Sequence, residues 1–460
     1  MEPRPVTTTL IQRFSGASLG ARVLRSSLLT VGSFGFSQAL RLGGNLILTR
    51  LLFPEAFGLM ALLTVFLMGL MQFSDVGVTP AILQSRRGDD RDFLDTAWTI
   101  QVLRGIGLWL TACAFAWPMA AFYDQPQLLQ LLPVAGLALL IVGFRPTRMD
   151  SANRHLRLGR VTLLELATQT LGVVSAVLLA WATGSVWALV ISGLISSLFE
   201  VVANSAFLAG GRNRFRMEAE ARHELVNFGK WIFLSTVCGF FFSQGDKILI
   251  GKYLSLEAFG VYNIGYFLAS FPMLLGGMVT RKVLIPIYRE SPPRASRENF
   301  RRLRKMRFAV TGPLLLLVAS FGLCGHWLVT LMYDSRYLAA GAVTVIVACM
   351  QMPQIVVQTY DQAALAAGDS RSFFVLALTR AVLMIGCILV GLETYGLIGA
   401  LLGYGAAFLL AYPVVVWLAR RMGVWDPLHD LVFALLGAAL ALVAISLNWS
   451  AVTALAAQGG

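Results

Sequence analysis

The chain has 460 residues, a mean hydropathy of +0.71 and a formal net charge of +13; 57% of its residues are hydrophobic and 13% are charged. Because soluble globular proteins carry about 25% charged residues, this composition excludes a soluble protein, a disordered chain and a disulfide scaffold. The positive charge would indicate a nucleic-acid partner in a soluble protein, whereas in a membrane protein it marks cytoplasmic loops.

Apolar runs long enough to cross a bilayer recur along the whole chain. A spanning helix needs about 20 residues, because the hydrocarbon core is about 30 Å thick and each helical residue rises about 1.5 Å. We therefore predict an all-α integral membrane protein with thirteen spans, at roughly 26–49, 56–79, 94–117, 128–146, 161–182, 186–209, 229–251, 258–280, 308–332, 338–359, 373–393, 396–418 and 429–447. The short segment after Trp449 leaves open whether a fourteenth span forms.

The loops between these spans alternate in charge. One set is short and nearly uncharged, and the other holds most of the 37 lysines and arginines, at Arg4–Arg25, Arg86–Arg91, Arg145–Arg160, Arg212–Lys230, Arg281–Arg307, Arg371 and Arg420–Arg421. The positive-inside rule then predicts a cytoplasmic N-terminus and cytoplasmic basic loops. These loops account for the net charge without a nucleic-acid partner.

A segment from the first half of the chain recurs in the second half. Residues 48–60 read LTRLLFPEAFGLM and residues 250–262 read IGKYLSLEAFGVY, so that Glu55–Gly58 matches Glu257–Gly260 at an offset of 202. A weaker match between 184–193 and 396–405 follows in the same order. Six spans return the chain to the side on which it started, so the two copies would share one orientation, as in a parallel repeat.

This repeat predicts two six-helix bundles followed by one extra helix. The predicted boundaries are an N-terminal six-helix bundle at 1–209, a cytoplasmic linker at 210–228, a C-terminal six-helix bundle at 229–418, and an extra C-terminal transmembrane helix with its tail at 419–460. Two like bundles are an architecture for alternating access, in which the substrate binds between them.

Four basic side chains lie inside the predicted spans: Arg41, Arg104, Lys247 and Arg380. A charge at the bilayer centre costs about 3 kcal/mol on insertion scales, so these residues should face the protein interior or a wet cavity. A cationic cavity would suit an anionic substrate such as a pyrophosphate. The alternative for each residue is a structural ion pair or a side chain that snorkels to the interface.

Amide side chains accompany these cations. Asn45 lies one helical turn from Arg41, and Gln351, Gln354 and Gln358 follow one face of the tenth span. Amides can line a cavity and hydrogen-bond sugar hydroxyls, or they can hold neighbouring membrane helices together. The sequence leaves both roles open.

Four carboxylates are candidates for ion coupling, because acidic side chains inside spans carry protons or ions in many transporters. They are Asp75, Glu165, Asp246 and Asp361. The alternative is that they pair with nearby arginines.

No catalytic constellation or metal-ligand cluster is apparent in the sequence. The four histidines are scattered, and the five cysteines all lie in apolar runs without a Cys-x-x-Cys pair. We therefore expect no cofactor and no enzymatic activity.

A family resemblance rests on two motifs near the N-terminus. Residues 50–59, RLLFPEAFGL, resemble the R-L-L-x-P-E-x-F-G-L signature that follows the first helix of polysaccharide repeat-unit flippases. Residues 73–77, FSDVG, followed by AILQ at 81–84, are similar to the next segment of that family. These flippases belong to the multidrug/oligosaccharidyl-lipid/polysaccharide exporter superfamily. The resemblance is sharpest over about 26–110, and the two-bundle plan extends it to about 418.

This resemblance implies a transporter that flips undecaprenyl-diphosphate-linked oligosaccharide across a bacterial inner membrane, for O-antigen, capsule or exopolysaccharide synthesis. It implies alternating access driven by an ion gradient, with the polyprenyl tail in membrane lipid and with a polymerase and chain-length machinery as candidate partners. Cationic cavity residues would meet the diphosphate. Arg41 and Lys247 are assigned to that role by depth and helix face, not by a matched motif.

Three other functions were weighed. A multidrug or cation antiporter of the same superfamily should have an anionic or apolar cavity, whereas cations predominate in these spans. A membrane-embedded polysaccharide-assembly enzyme should carry acid and base residues in a sizeable loop, which the sequence lacks. A scaffold without transport activity gives no reason for arginines inside the spans.

Overall fold

The computed structural model describes residues 19–75, 77–155, 157–290, 293–367 and 369–458. Its regular structure there consists of helices without strands. The beginning of the basic segment Arg4–Arg25 and Val76 of the FSDVG motif lie outside the described residues.

Sixteen α-helices follow one another along this part of the chain. They are α1 (Leu19–Leu51), α2 (Pro54–Phe73), α3 (Val78–Gln84), α4 (Arg91–Tyr123), α5 (Leu128–Gly143), α6 (Arg148–Arg154), α7 (Leu158–Thr183), α8 (Trp187–Phe207), α9 (Ala219–Tyr253), α10 (Leu256–Ala269), α11 (Phe271–Glu290), α12 (Arg297–Met332), α13 (Ala339–Ala367), α14 (Ser370–Met422), α15 (Pro427–Leu447) and α16 (Trp449–Gln458). A single 3-10 turn, Ser335–Tyr337, precedes α13.

The protein is an all-α, multi-pass membrane protein, as predicted. Within the described residues, eight helices are long and apolar enough to cross a bilayer, or up to ten if each of two bent pairs is one span. This count is lower than thirteen partly because α14 holds two predicted spans, joined at the non-helical residues Tyr395 and Gly396. It also omits α1 and α9, whose polar side chains lower their hydropathy. With 10 residues, α16 is too short to be a fourteenth span.

The helices form two compact units. The first unit is Met1–Leu51 with Ser74–Phe233, and the second unit is Leu52–Phe73 with Leu234–Gly460. This division differs in one helix from the bundles predicted by the repeat, because α2 packs along α10 of the second unit. The predicted bundle boundaries follow the repeat, not the packing, and they remain a prediction.

In the first unit, small residues and one polar contact set the helix packing. The Ser37 hydroxyl of α1 donates to Oε1 of Gln169 on α7 over 2.6 Å, and the Gln169 amide donates back to the Ser37 carbonyl over 3.0 Å. Between α4 and α5, Gly105 and Gly143 are so close that a Cβ added to Gly105 would lie 3.1 Å from the Gly143 Cα. Close approach at small residues is typical of membrane helices.

The core of the second unit is α13. The candidate span Ser335–Asp361, which includes most of α13, is 89% buried over its most apolar stretch. The helix packs against α10, α11, α12, α14 and α15, and these neighbours cover it on nearly all sides.

The two sequence-related EAFG segments pack against each other within the second unit. A Cβ added to Gly58 would collide with the carbonyl oxygen of Leu256, and a Cβ added to Gly260 would collide with the carbonyl oxygen of Pro54. These four positions are equivalent in pairs at the offset of 202, so the contact is reciprocal. Glycine is required at both positions because the opposing backbone leaves no room for a side chain.

A buried polar network fixes α15 to the rest of the second unit. Arg307 of α12 is fully buried, although the sequence placed it in a basic loop. Its guanidinium donates to the Val424 carbonyl over 2.5 Å and to the Tyr288 hydroxyl over 2.8 Å, and it lies 4.1 Å from the centre of the Tyr360 ring. The loop prediction was wrong here because α12 begins at Arg297, three turns before Arg307.

The same network continues onto the first turn of α15. The Asp430 carboxylate accepts hydrogen bonds from the Tyr360 hydroxyl at 2.7 Å and from the Tyr412 hydroxyl at 2.9 Å. His429 bridges Asp430 and the hydroxyl of Thr311, with a distance of 3.0 Å on each side. Hydrogen bonds shared among several helices in this way favour one arrangement of the helices that carry them.

We predict that Gly58→Ala and Gly260→Ala each lower the thermal stability of the purified protein in detergent. Separating the two backbones should cost about 1–3 kcal/mol, the usual price of overpacking. Gly386→Ala is the matched control, because a Cβ at Gly386 meets nothing within 4 Å. A control that is destabilised as strongly as the two variants would contradict the reciprocal contact.

We also predict that Asp430→Asn destabilises the second unit, because it removes the only negative charge that Tyr360, Tyr412 and His429 share among their described contacts. Weakening a charge-assisted network should cost about 1.5–3 kcal/mol in the unfolding free energy. The control is Glu393→Gln, since Glu393 of α14 is exposed and makes no ion pair among the described residues. Surface substitutions of that kind stay within about 0.5 kcal/mol, and equal effects of the two changes on the melting temperature would refute the prediction.

Candidate functional site

Lys247, one of the four predicted cavity cations, lies in a polar cluster on α9. Its ammonium nitrogen is 3.6 Å from Oδ2 of the neighbouring Asp246 and 4.3 Å from the centre of the Tyr266 ring. Asp246 is 2% exposed and accepts a hydrogen bond from the Tyr262 hydroxyl over 2.5 Å. The Asp246 carboxylate therefore has two partners, and Lys247 makes a cation–π contact with the Tyr266 ring as well as its contact with Asp246.

This cluster extends from α10 to α13 and α14. The Tyr266 ring lies edge-on to that of Tyr404, with centroids 6.3 Å apart, and the Gln351 amide donates to the Tyr404 hydroxyl over 3.5 Å. Gln351 is 1% exposed, and its Oε1 has no hydrogen-bond partner among the described residues. A buried amide oxygen without a partner can accept a hydrogen bond from a donor group of a ligand.

Arg380, the second predicted cation in this unit, forms an ion pair with Asp361. The guanidinium Nη1 and Nη2 are 2.7 Å and 2.9 Å from the two carboxylate oxygens, a bidentate arrangement between α14 and α13. Only 7% of the Arg380 side chain is exposed. This geometry favours the structural ion pair, which the sequence had left as an alternative for both residues.

The glutamines of α13 do not line one surface together, because they contact different helices. Gln358 is buried and its amide donates to the Met273 carbonyl of α11 over 3.4 Å, while Gln351 points to α14. Gln354 is half-buried between them in sequence. Contacts of this kind favour the role of holding membrane helices together.

In the first unit, Arg41 and Asn45 lie on α1. Arg41 is exposed and Asn45 is half-buried. One turn before Arg41, Ser37 bonds to Gln169 of α7, which fixes this part of α1 against α7.

Arg104 and Asp75 are brought together. The Arg104 Nε donates to the Ser74 hydroxyl over 2.8 Å, and its Nη1 lies 3.9 Å from Asp75 Oδ1. The same Asp75 oxygen accepts the backbone N–H of Gly77 over 2.9 Å. These contacts are those of a turn-stabilising pair, which is the alternative that the sequence left open for both residues.

Glu165, the last coupling candidate, lines a cavity of about 500 Å³ between α7 and α8. Arg145 and Glu200 also line it and form an ion pair with each other at 3.3 Å. Hydroxyl and amide groups of Thr168, Gln169, Ser192, Ser196 and Asn204 complete the polar lining. Glu165 makes no ion pair among the described residues, in contrast to Asp75, Asp246 and Asp361.

Sequence reasoning did not identify the tyrosines that surround Lys247, nor Gln169 beside Ser37. Tyr262 lies in the second copy of the repeated segment, at the position of Met60 in the first copy. That difference between the copies was a signal, because an apolar residue in one copy is replaced by a hydroxyl-bearing residue at the equivalent position of the other. Tyr404 and Gln169 gave no such signal.

Two curated proteins named for polysaccharide biosynthesis are similar to this chain in sequence. It is 22% identical over 297 residues to the teichuronic acid biosynthesis protein TuaB of Bacillus subtilis, a match over 64% of this chain and 61% of TuaB. It is 24% identical over 247 residues to the succinoglycan biosynthesis transport protein ExoT of Rhizobium meliloti, over 53% of this chain and 49% of ExoT. The matches thus span only about half to three-fifths of the length of these relatives.

Solved structures establish the fold. The lipid II flippase MurJ in an inward closed conformation superposes with a TM-score of 0.68 at 13% identity, over 94% of this chain and 98% of MurJ. An inward-facing multidrug resistance MATE family transporter of the MOP superfamily has a TM-score of 0.59 at 16% identity, over 84% of this chain and 94% of that transporter. At these identities the likeness concerns the fold and not the substrate.

The family follows from the sequence itself. Residues 47–342, well over half of the chain, match the model of a family described as polysaccharide biosynthesis protein. This match includes the whole of the RLLFPEAFGL and FSDVG motifs, and the resemblance inferred from them is confirmed. The chain belongs to the polysaccharide biosynthesis protein family.

Proposed function

We propose that this protein is a flippase for lipid-linked oligosaccharide. Its family, the names of its relatives in polysaccharide biosynthesis and transport, and a fold like that of a lipid II flippase all support this function. The single observation that carries most weight is the family match over 47–342, since the fold alone is shared with multidrug transporters. The substrate would be a polyprenyl-diphosphate-linked oligosaccharide.

The proposal includes location and mechanism. The protein would lie in a bacterial inner membrane with its N-terminus in the cytoplasm, an orientation supported by the basic loops. Alternating access would carry the polar headgroup across while the polyprenyl tail stays in lipid. A polymerase and chain-length machinery would use the product on the other side.

Other functions have less support. A multidrug or cation antiporter would share the fold, but the family and both named relatives concern polysaccharides. A membrane-embedded assembly enzyme is less supported, because the relative ExoT is named as a transport protein. A direct assay separates these functions, because purified protein in liposomes should move a labelled polyprenyl-diphosphate sugar between leaflets and should not process it chemically.

We propose Arg41 and Lys247 as the residues that meet the diphosphate. Arg41 is exposed on α1, and Lys247 has one carboxylate neighbour at 3.6 Å and an aromatic face, a looser environment than the bidentate pair of Arg380. A guanidinium and an ammonium group can each donate charge-assisted hydrogen bonds to phosphate oxygens.

We predict that Arg41→Ala and Lys247→Ala each weaken binding of the lipid diphosphate roughly ten- to a hundredfold, because each removes one charge-assisted contact. Flipping in liposomes and restoration of polysaccharide export in a deletion strain are the measurements. Arg41→Lys and Lys247→Arg keep the charge and should retain much of the activity. Full export by normally inserted alanine variants would show that the assignment is wrong.

We further propose Glu165 as the ion-coupling carboxylate. The other three candidates each have a cationic partner, whereas Glu165 lines a cavity of about 500 Å³ and makes no ion pair among the described residues. A carboxylate in such a cavity can take up and release a proton or cation without breaking an ion pair.

Glu165→Gln should therefore abolish most of the stimulation of flipping by an imposed ion gradient while leaving substrate binding unchanged. Glu224→Gln, which neutralises an exposed carboxylate of α9, is the control. The assay compares flipping in liposomes with and without a proton or sodium gradient. A Glu165→Gln protein that responds to the gradient as the control does would exclude Glu165 from coupling.

A further inference from the structure

A second cavity of the first unit lies where α7 begins and α8 ends. It has a volume of about 590 Å³ and differs from the Glu165 cavity in its charge. Its lining includes the basic side chains of His155, Arg157 and Arg160, the hydroxyl of Ser151, and the apolar side chains of Leu208 and Ala209. No carboxylate contributes to this lining within the described residues.

The charges of the two arginines of this cavity are not balanced by an ion pair within the described residues. Both are exposed, and neither forms an ion pair with another described residue. The acid Asp89 beside His155 is already occupied, because His155 Nε2 lies 2.8 Å from its Oδ1 and Arg154 Nε lies 3.1 Å from its Oδ2. The hydrogen bond from His155, and then the charges of His155 and Arg154, hold the pKa of Asp89 below its usual value.

The backbone carbonyls at the end of α8 do not occupy these arginines either. Arg148 of α6 donates to the carbonyls of Ser205 and Leu208, at 2.5 Å and 3.1 Å. The terminal carbonyls of a helix are natural acceptors for a nearby cation, and here a different arginine satisfies two of them. Arg157 and Arg160 are thus available for a ligand from outside the protein.

The cavity lies beside the ends of two apolar spans. The apolar span Gly159–Thr183 begins at its wall, and the apolar span Trp187–Phe207 ends there. The hydrocarbon region therefore stops at this level on both helices, where phosphate groups of the bilayer are found. Leu208 and Ala209 add apolar surface that could contact the glycerol backbone or the first carbons of an acyl chain.

We propose that this cavity binds the phosphate headgroup of an anionic phospholipid, such as phosphatidylglycerol. Two unpaired guanidinium groups match a phosphodiester, which arginine can bind with two parallel hydrogen bonds. The apolar wall and the depth favour a lipid over inorganic phosphate, which would gain nothing from either. The site goes beyond the proposed transport function, since it would hold a lipid of the surrounding membrane and not the substrate.

The test compares lipid binding by purified full-length protein and by the double variant Arg157→Gln/Arg160→Gln. Short-chain phosphatidylglycerol, phosphatidylcholine and inorganic phosphate are titrated separately, and bound lipid is counted by native mass spectrometry. The matched control is Arg86→Gln/Arg212→Gln, which removes the same charge from two exposed arginines that do not line the cavity. Each basic residue near a membrane surface contributes about 1 kcal/mol, so the double variant should bind phosphatidylglycerol about thirtyfold more weakly.

Binding of phosphatidylglycerol by the wild-type protein and the control, but not by the double variant, would support the site. Equal binding by the double variant and the control, or equal binding of phosphatidylcholine and phosphatidylglycerol, would overturn it. Inorganic phosphate that displaces phosphatidylglycerol at equal concentration would show that the ligand is a free anion and that the lipid assignment is wrong. If the double variant does not fold, the same competition and its loss at high salt are measured on the wild-type protein.

Discussion

An ion within a bilayer has no water to solvate it, and this constraint governs how the charged helices of the protein pack. Arg380 meets it with a bidentate bond to Asp361, which joins α14 to the central helix α13. Arg307 meets it with a carbonyl, a hydroxyl and an aromatic face, contacts that hold α12 against the segment before α15. The same bonds that compensate the desolvation of each charge therefore also fix the positions of two helices.

This constraint limits which of the predicted cavity cations could bind the proposed diphosphate. A diphosphate that bound Arg380 would have to break two short bonds to Asp361 and leave that carboxylate buried without a partner. Lys247 is different, because its contact with Asp246 is longer and Asp246 keeps the hydroxyl of Tyr262 when Lys247 turns away. The sequence placed four cations inside the predicted spans, and their surroundings separate Arg380, which Asp361 holds in a bidentate pair, from Lys247.

The sequence predicted where the long helices lie, because the thickness of the bilayer sets the length of an apolar run. It could not predict which helix would be central, since α13 and α15 are both strongly apolar and only α13 is covered on all sides. The network around Arg307 and His429 was missed for a similar reason. Arg307 and Val424 are 117 residues apart, and a histidine at the start of a predicted span gives no indication of partners on other helices.

The two copies of the repeated segment show where symmetry is retained and where it is lost. At Gly58 and Gly260 each copy touches the backbone of the other, so any side chain at either position would push both apart, and the residues are identical. At the same offset, Arg41 corresponds to Ser243 and Asn45 to Lys247, so each copy has one cation, one helical turn apart. Reciprocal packing requires equal residues, so the identity of the two glycines follows from packing alone, whereas the positions of the two cations have diverged between the copies.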